Sequence, residues 1–384
     1  MAISSSDLPA GGLNGLLRYA VARGASDLHL KVPSRPVVRV NGGLEQVPDW
    51  PALTSEITGG FAEELLAGKP DAAAELENEG ESDLSHAQDN VGRFRANIFK
   101  QRGSVSLVLR VVPFGVPALE DLNLPDAVAG LADEERGIVL VTGTTGSGKS
   151  TTLAAMIDRI NRTAHKHVVT IEDPIEILHS DRGSIINQRE VGMDTGSFGA
   201  ALRRVLRQDP DVIMLGEIRD EVTMETALNA AETGHLVLST MHTLDATETV
   251  NRAIGFFPLH QQGQVRAMLA GTLRGIISQR LVKTADGEGR VAACEVMVTT
   301  GRARDMITNP AETASIAEVI RDGEYYGMQT FDQSLFDHVS KGLVSVEDAL
   351  SASSSPHDFK LMLEAGTARR DASQYTSTNG AASA

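Results

Sequence analysis

Residues 143 to 150 read Gly143-Thr144-Thr145-Gly146-Ser147-Gly148-Lys149-Ser150, the spacing G-x-x-x-x-G-K-[ST], followed by Thr151. Each residue type has a chemical reason to stand there. Glycines let consecutive backbone N–H groups curl toward phosphate oxygens without a Cβ in the way. Lys149 carries a point charge to the outer phosphates, and the Ser150 hydroxyl suits Mg²⁺. Residues Gly143 to Thr151 therefore form a candidate nucleoside triphosphate site. The flanks have the shape it needs. Gly137-Ile138-Val139-Leu140-Val141 is an apolar run suited to a buried strand, and Leu153, Met156, Ile157 and Ile160 recur at i, i+3, i+4, i+7, one face of a helix.

Three further polar clusters follow apolar runs. They are Glu172-Asp173-Pro174-Ile175-Glu176 after Val168 to Ile171, Gly216-Glu217-Ile218-Arg219-Asp220 after Val212 to Leu215, and Ser239-Thr240-Met241-His242 at the end of a run from Leu236. In a parallel sheet all strands point one way, so these clusters fall along one edge, where such folds bind ligands. Carboxylates beside a triphosphate are costly unless Mg²⁺ or a water to be activated lies between them, which makes them candidates for hydrolysis. Taken singly, each has a plainer reading. Glu172 and Asp173 suit a turn before Pro174, Gly216 stands where an aspartate is usual, and His235 and His242 lack the spacing of a helical metal pair and suit structural histidines.

The elements that must position these groups fall into blocks. Before about residue 112 the chain predicts an α+β module. Asp27 to Lys31 and Pro36 to Val40 are strand-like around an Asn41-Gly42-Gly43 turn, and residues 53 to 85, rich in Ala, Glu and Leu, predict helices. Arg93 to Phe99 alternates, with Phe94, Ala96 and Ile98 on one face and Arg93, Arg95 and Asn97 on the other. A turn at Arg102-Gly103 then leads into Val105, Leu107, Leu109 and Val111. Val112 to Pro117 breaks regular structure, which sets a linker at 113–118. Alternating βα elements over 119–300 predict a parallel sheet covered by helices. A helical part follows over 301–365, then a Ser/Thr/Ala-rich tail at 366–384 with the composition of disorder.

The chain has 384 residues, 35 basic and 51 acidic, a formal net charge of −16. That balance disfavours constitutive nucleic-acid binding, including nucleic-acid translocation, because no basic surplus exists to displace phosphate counterions. No basic-then-apolar leader opens the chain, no apolar run reaches membrane-spanning length, and the single Cys294 excludes an intrachain disulfide.

The order of the four clusters, with Arg207-Gln208-Asp209-Pro210-Asp211 before the third and Thr233-Gly234-His235 before the fourth, resembles the Walker A, Asp box, Walker B and His box of secretion and pilus ATPases. The likeness extends through Ala25-Ser26-Asp27-Leu28-His29-Leu30, Gly92 to Asn97, Leu273 to Leu281 and Gly327 to Leu335. Within that family the chain is most similar to PilT-type retraction ATPases of type IV pili, because the N-terminal region is short and no four-cysteine zinc motif is present. The resemblance implies an α/β protein with a PAS-like N-terminal domain and a RecA-like ATPase domain. It also implies a cytoplasmic homohexamer at the inner face of the cell membrane, held there through an inner-membrane pilus platform protein. ATP and Mg²⁺ would be its cofactors. Glu176 would be the general base, Glu217 would serve Mg²⁺ and water, and His235 and His242 would couple the γ-phosphate to ring motion. Arg93, Arg95 and Arg110 would be brought to an active site. Thr144 departs from the common proline, and Ser315 to Asp322 departs from the Ala-Ile-Arg-Asn-Leu-Ile-Arg-Glu motif of retraction ATPases. A pilus-extension ATPase, a type II or IV secretion ATPase, and a nucleotide-binding accessory subunit with little hydrolysis remain alternatives.

Overall fold

The structure is a computed structural model that describes residues 11–365. The predicted tail at 366–384 lies outside them. The chain divides into two compact units, one running to Gly115 and including Pro174–Leu178, the other formed by Val116–Asp173 and the residues from His179.

The first unit is one antiparallel sheet with helices on its apolar face. Its strands are β1 (Asp27–Leu30), β2 (Val37–Val40), β3 (Gly43–Gln46), β4 (Glu81–Gln88), β5 (Gly92–Gln101) and β6 (Ser104–Val112), in the order β3-β2-β1-β6-β5-β4. Two tight turns set the register. Asn41 and Gly42 between β2 and β3, and Arg102 and Gly103 between β5 and β6, all have positive φ, the backbone that two-residue hairpins require. The alternation read from β5 holds, since Phe94, Ala96 and Ile98 are buried. They pack with Leu13, Leu16 and Leu17 of helix α1 (Gly12–Ala22) and Ile57, Phe61 and Leu65 of α2 (Ser55–Leu66). Helix α3 (Pro70–Asn78) follows. The helical expectation for 53–85 therefore ends too late. Glu81 to Gln88 is recruited as a strand because β5 offers it a full ladder of pairs from Phe99 to Gly92.

The second unit is a seven-stranded mixed sheet between two layers of helices. Its strands are β7 (Gly137–Thr142), β8 (His167–Glu172), β9 (Ile185–Glu190), β10 (Val212–Leu215), β11 (Leu236–Met241), β12 (Leu273–Lys283) and β13 (Arg290–Val298), in the order β13-β12-β7-β11-β10-β8-β9. Only β13 runs antiparallel, paired with β12. Successive residues of one strand feed two cores. Ile138 and Leu140 join one cluster and Val139 and Val141 the other, as a strand covered on both faces demands. The helices are α4 (Asp126–Ala132), α5 (Lys149–Thr163), α6 (Phe198–Val205), α7 (Glu221–Glu232), α8 (Ala246–Gly255), α9 (Gln262–Thr272), α10 (Gly301–Thr308), α11 (Ile316–Arg321), α12 (Phe331–Ser340) and α13 (Val346–Ala352). The helical part beyond residue 300 is not a separate body. Ala303, Ile307, Ile316 and Ile320 complete one core, while Leu335, Ala349 and Phe359 pack on Val282, Val291 and Ala293 of β12 and β13.

Candidate active site

The phosphate loop joins β7 to α5 at the carboxyl edge of the sheet. Gly143, Gly146 and Gly148 all have positive φ, and Gly148 is the N-cap of α5. At Gly143 a Cβ would collide with the Gln279 carbonyl oxygen and come within 2.6 Å of Ser147 Oγ, so only glycine lets β12 support the loop this closely. Thr144, Thr145, Gly146 and Ser150 are exposed, and Thr151 is half-buried in the first turn of α5. Lys149 is buried, and its Nζ donates to the loop's own carbonyls, Gly143 O at 2.8 Å and Thr144 O at 2.9 Å. Burial lowers its pKa, opposed by the charge of Glu217.

Glu217 follows β10. Its carboxylate is nearly buried, contacts Arg219, and lies 3.3 Å from His242 Nε2 at the end of β11. Lys149, Glu217 and His242 thus converge at one sheet edge. Glu172 at the end of β8 is engaged structurally, accepting from Thr170 Oγ1 at 2.7 Å and Gln188 Nε2 at 3.1 Å.

His235 is not brought to this edge. It precedes β11, so the strand itself separates it from His242 by roughly 20 Å. There its Nδ1 lies 2.9 Å from Ala230 O and its carbonyl accepts from Gly137 N at the entry to β7. The two histidines thus occupy opposite ends of one strand.

Glu176 belongs to the first unit. The Pro174–Leu178 segment is attached there by a bridge between Phe114 and Leu178, and Arg95 contacts Glu176 Oε1 at 2.8 Å. Arg110 stands opposite Arg95 across β5 and β6, a like-charge pairing that needs anions nearby. Asp27 supplies one, at 3.0 Å from Arg110 and 3.9 Å from Arg39. Burial would raise the Asp27 pKa, yet hydrogen bonds from Ser26 and Arg110 and the Arg110 charge hold it below the usual range. Arg93 shares the Arg95 face of β5.

Sequence reasoning missed the support beneath the loop. Thr142 Oγ1 donates to Ser278 Oγ at 3.0 Å, and Gln279 Nε2 donates to Thr152 Oγ1 at 2.9 Å, so β12 ties together both ends of the loop. The polar residues inside Leu273 to Leu281 were the available signal.

The family model described as "Type II/IV secretion system protein" matches residues 94–351. The chain belongs to that family. It is 42% identical over 344 residues, 90% of this chain and 98% of the other, to the "Type IV pilus retractation ATPase PilT" of Pseudomonas aeruginosa. It is 41% identical over 355 residues, 92% and 91% of the two chains, to the "Type IV pilus ATPase PilU" of the same organism. Among solved structures, that of the pilus retraction motor PilT with bound ADP aligns with a TM-score of 0.80 at 45% identity, covering 89% of this chain and 97% of the other. The chain is accordingly an ATPase of the PilT kind within the family.

The loop fits the nucleotide that this membership implies. Ser147 Oγ is buried without a partner among the described residues, beside the cradle that a Cβ at Gly143 would fill. Among the described residues no group of three or more His, Cys, Asp or Glu could hold a metal ion. Mg²⁺ takes one or two protein ligands and completes its shell with water and phosphate oxygens, so such a group is not what it requires. No helix among the described residues is long and apolar enough to cross a membrane.

Proposed function

We propose that this chain is a Mg²⁺-dependent ATPase motor that drives retraction of type IV pili. It would work as a homohexamer at the inner face of the cell membrane against an inner-membrane platform protein. The observation that carries the proposal is the near full-length likeness to the PilT retraction ATPase, joined to a complete phosphate loop with Glu217 and His242 at the same sheet edge. In this reading the first unit is the PAS-like domain and the second the RecA-like domain. One antiparallel sheet with helices on one face, and a mixed sheet with helices on both, support these assignments.

The chemistry is attack of water on the γ-phosphate, in line with the leaving oxygen, and the protein's task is to position reactants and neutralise charge. Mg²⁺ held by Ser150 and Glu217 would neutralise the outer phosphates. Lys149, now resting on the loop's carbonyls, exchanges those partners for phosphate oxygens. Glu176 orients the water as general base, while Arg93, Arg95 and Arg110 stabilise developing charge. His242, through its contact with Glu217, passes the state of the site to the α8 side of the sheet. His235 has no part in this step and holds the corner between α7 and β11.

Imaging labelled pili in cells carrying Lys149→Ala tests the proposal. Long, persistent filaments that fail to retract are expected. Cells without pili would point to extension, and intact pili with a protein-export defect to secretion.

A further inference from the structure

Glu295 sits in the middle of β13, far in sequence from every motif, yet its row across the sheet passes through the residue before the phosphate loop. Ser278 is its partner on β12, and Thr142, the residue before Gly143, is the partner of Ser278 on β7. The Thr142 and Ser278 hydroxyls are bonded to each other. The Glu295 carboxyl is buried, and its Oε1 accepts from the N–H of Ala246 at 2.8 Å.

Ala246 is the first residue of α8, and His242 stands four residues earlier. The turn between them is bound to the helix. Glu248 N donates to Asp245 Oδ1 at 2.7 Å, Leu244 N donates to Glu248 Oε2 at 2.8 Å, and Thr243 Oγ1 lies 2.7 Å from Thr249 Oγ1. Residues 243–249 are therefore tied together by hydrogen bonds, with His242 at their edge. The first N–H groups of a helix have no partner within it, and here the Ala246 N–H is met by Glu295, a side chain of the strand layer that also supports the loop. From this geometry we infer that Glu295 is a positioning residue for ATP hydrolysis, fixing the turn that carries His242 against Glu217. The inference rests on the proposed role of His242.

A carboxyl oxygen is what the arrangement requires, and an amide oxygen of the same length supplies one. Steady-state ATP turnover of Glu295→Gln, Glu295→Ala, His242→Ala and the Glu295→Ala/His242→Ala double variant tests the inference. Glu295→Ala is expected to lower kcat by about tenfold with KM for ATP within about twofold, because misplacement of a catalytic group acts on the transition state more than on binding. Glu295→Gln is expected to keep most of kcat. The double variant is expected to be no slower than His242→Ala, since two residues acting through one contact do not add.

Equal losses in Glu295→Gln and Glu295→Ala, a double variant showing the product of both losses, or a loss carried by KM would each overturn the inference. Should Glu295→Ala fail to fold, as read by circular dichroism, the comparison of Glu295→Gln with Glu295→Leu replaces it with the same criteria. If His242→Ala turns over normally while Glu295→Ala is slow, the role given to His242 fails, and positioning through it fails with it. If His242→Ala is slow and Glu295→Ala normal, only the positioning role fails.

Discussion

Lys149 shows how a buried charge is accommodated in the phosphate loop. A buried ammonium must be paired, and in this structure the loop's carbonyls at Gly143 and Thr144 receive it. Lys149→Ala removes the charge that replaces them at the phosphates, so ATP turnover is expected to fall to background in a phosphate-release assay. Glu176→Gln is expected to bind ATP with near wild-type affinity while losing hydrolysis. Near wild-type turnover in that variant would transfer the base to Glu217. Glu295 gives a prediction about pH. Burial first, and Asp245 after it, push its pKa up from 4.5 to about 7, against its bond from Ala246 and the charge of Arg280. The folded chain therefore holds a proton that the unfolded chain has released between these values. Stability contributed by this group is present at the acid end of the window and is lost as pH rises toward 7, by about 3 kcal/mol at most. Chemical denaturation at pH 5.5 and pH 8 is expected to show that slope in the wild type and to show it reduced in Glu295→Gln.

At the scale of elements, the motif and its supports differ in how they can be read. The loop, β7, β8, β10, β11 and the α5 face are legible because a strand covered on both faces is apolar throughout and a helix buries one stripe. Strands β12 and β13 are not, since Ser278, Gln279 and Glu295 interrupt them, and those residues are affordable in a core only through Thr142, Thr152 and Ala246, partners that sequence does not disclose. Edge strand β9, Ile185 to Glu190, carries Asn, Gln, Arg and Glu for the opposite reason, because it is only partly covered. The separation of His235 from His242 is not legible either, because nearness in sequence hides the full strand between them. The close fit of β12 under the loop yields a test. In Gly143→Ala the new methyl meets backbone at Gln279, whereas at Gly146 nothing lies within 4 Å of an added Cβ and only its positive φ opposes substitution. Titration with a fluorescent ATP analogue is expected to show binding weakened at least about tenfold in Gly143→Ala and by less in Gly146→Ala, given that backbone strain of this kind is worth about 1–3 kcal/mol. Equal effects would mean that the β12 contact is not what glycine serves.

At the scale of the whole molecule, the residues proposed to act in hydrolysis are divided between two compact units. Lys149, Glu217 and His242 lie in the second, while Arg93, Arg95, Arg110 and Glu176 lie in the first. In the proposed ring of identical chains, each phosphate loop has two possible sources of arginine, its own chain and its neighbour. Arg95 is held within its own unit by Glu176, an ion pair exposed enough to contribute little to stability and therefore readily exchanged for phosphate. If the arginines act on a neighbour's nucleotide, mixing two inactive proteins must create active interfaces. An Arg93→Ala/Arg95→Ala chain contributes an intact loop, a Lys149→Ala chain contributes intact arginines, and wherever the two meet in the right order one complete site forms. Turnover of the mixture is therefore expected to exceed the sum of the separate proteins, rising as the ratio approaches one to one. Formation of mixed rings must be verified independently, by co-purification on a tag carried by one variant. Mixed rings that never exceed that sum would assign the arginines to their own chain and turn the first unit from a neighbour's activator into part of each subunit's own site.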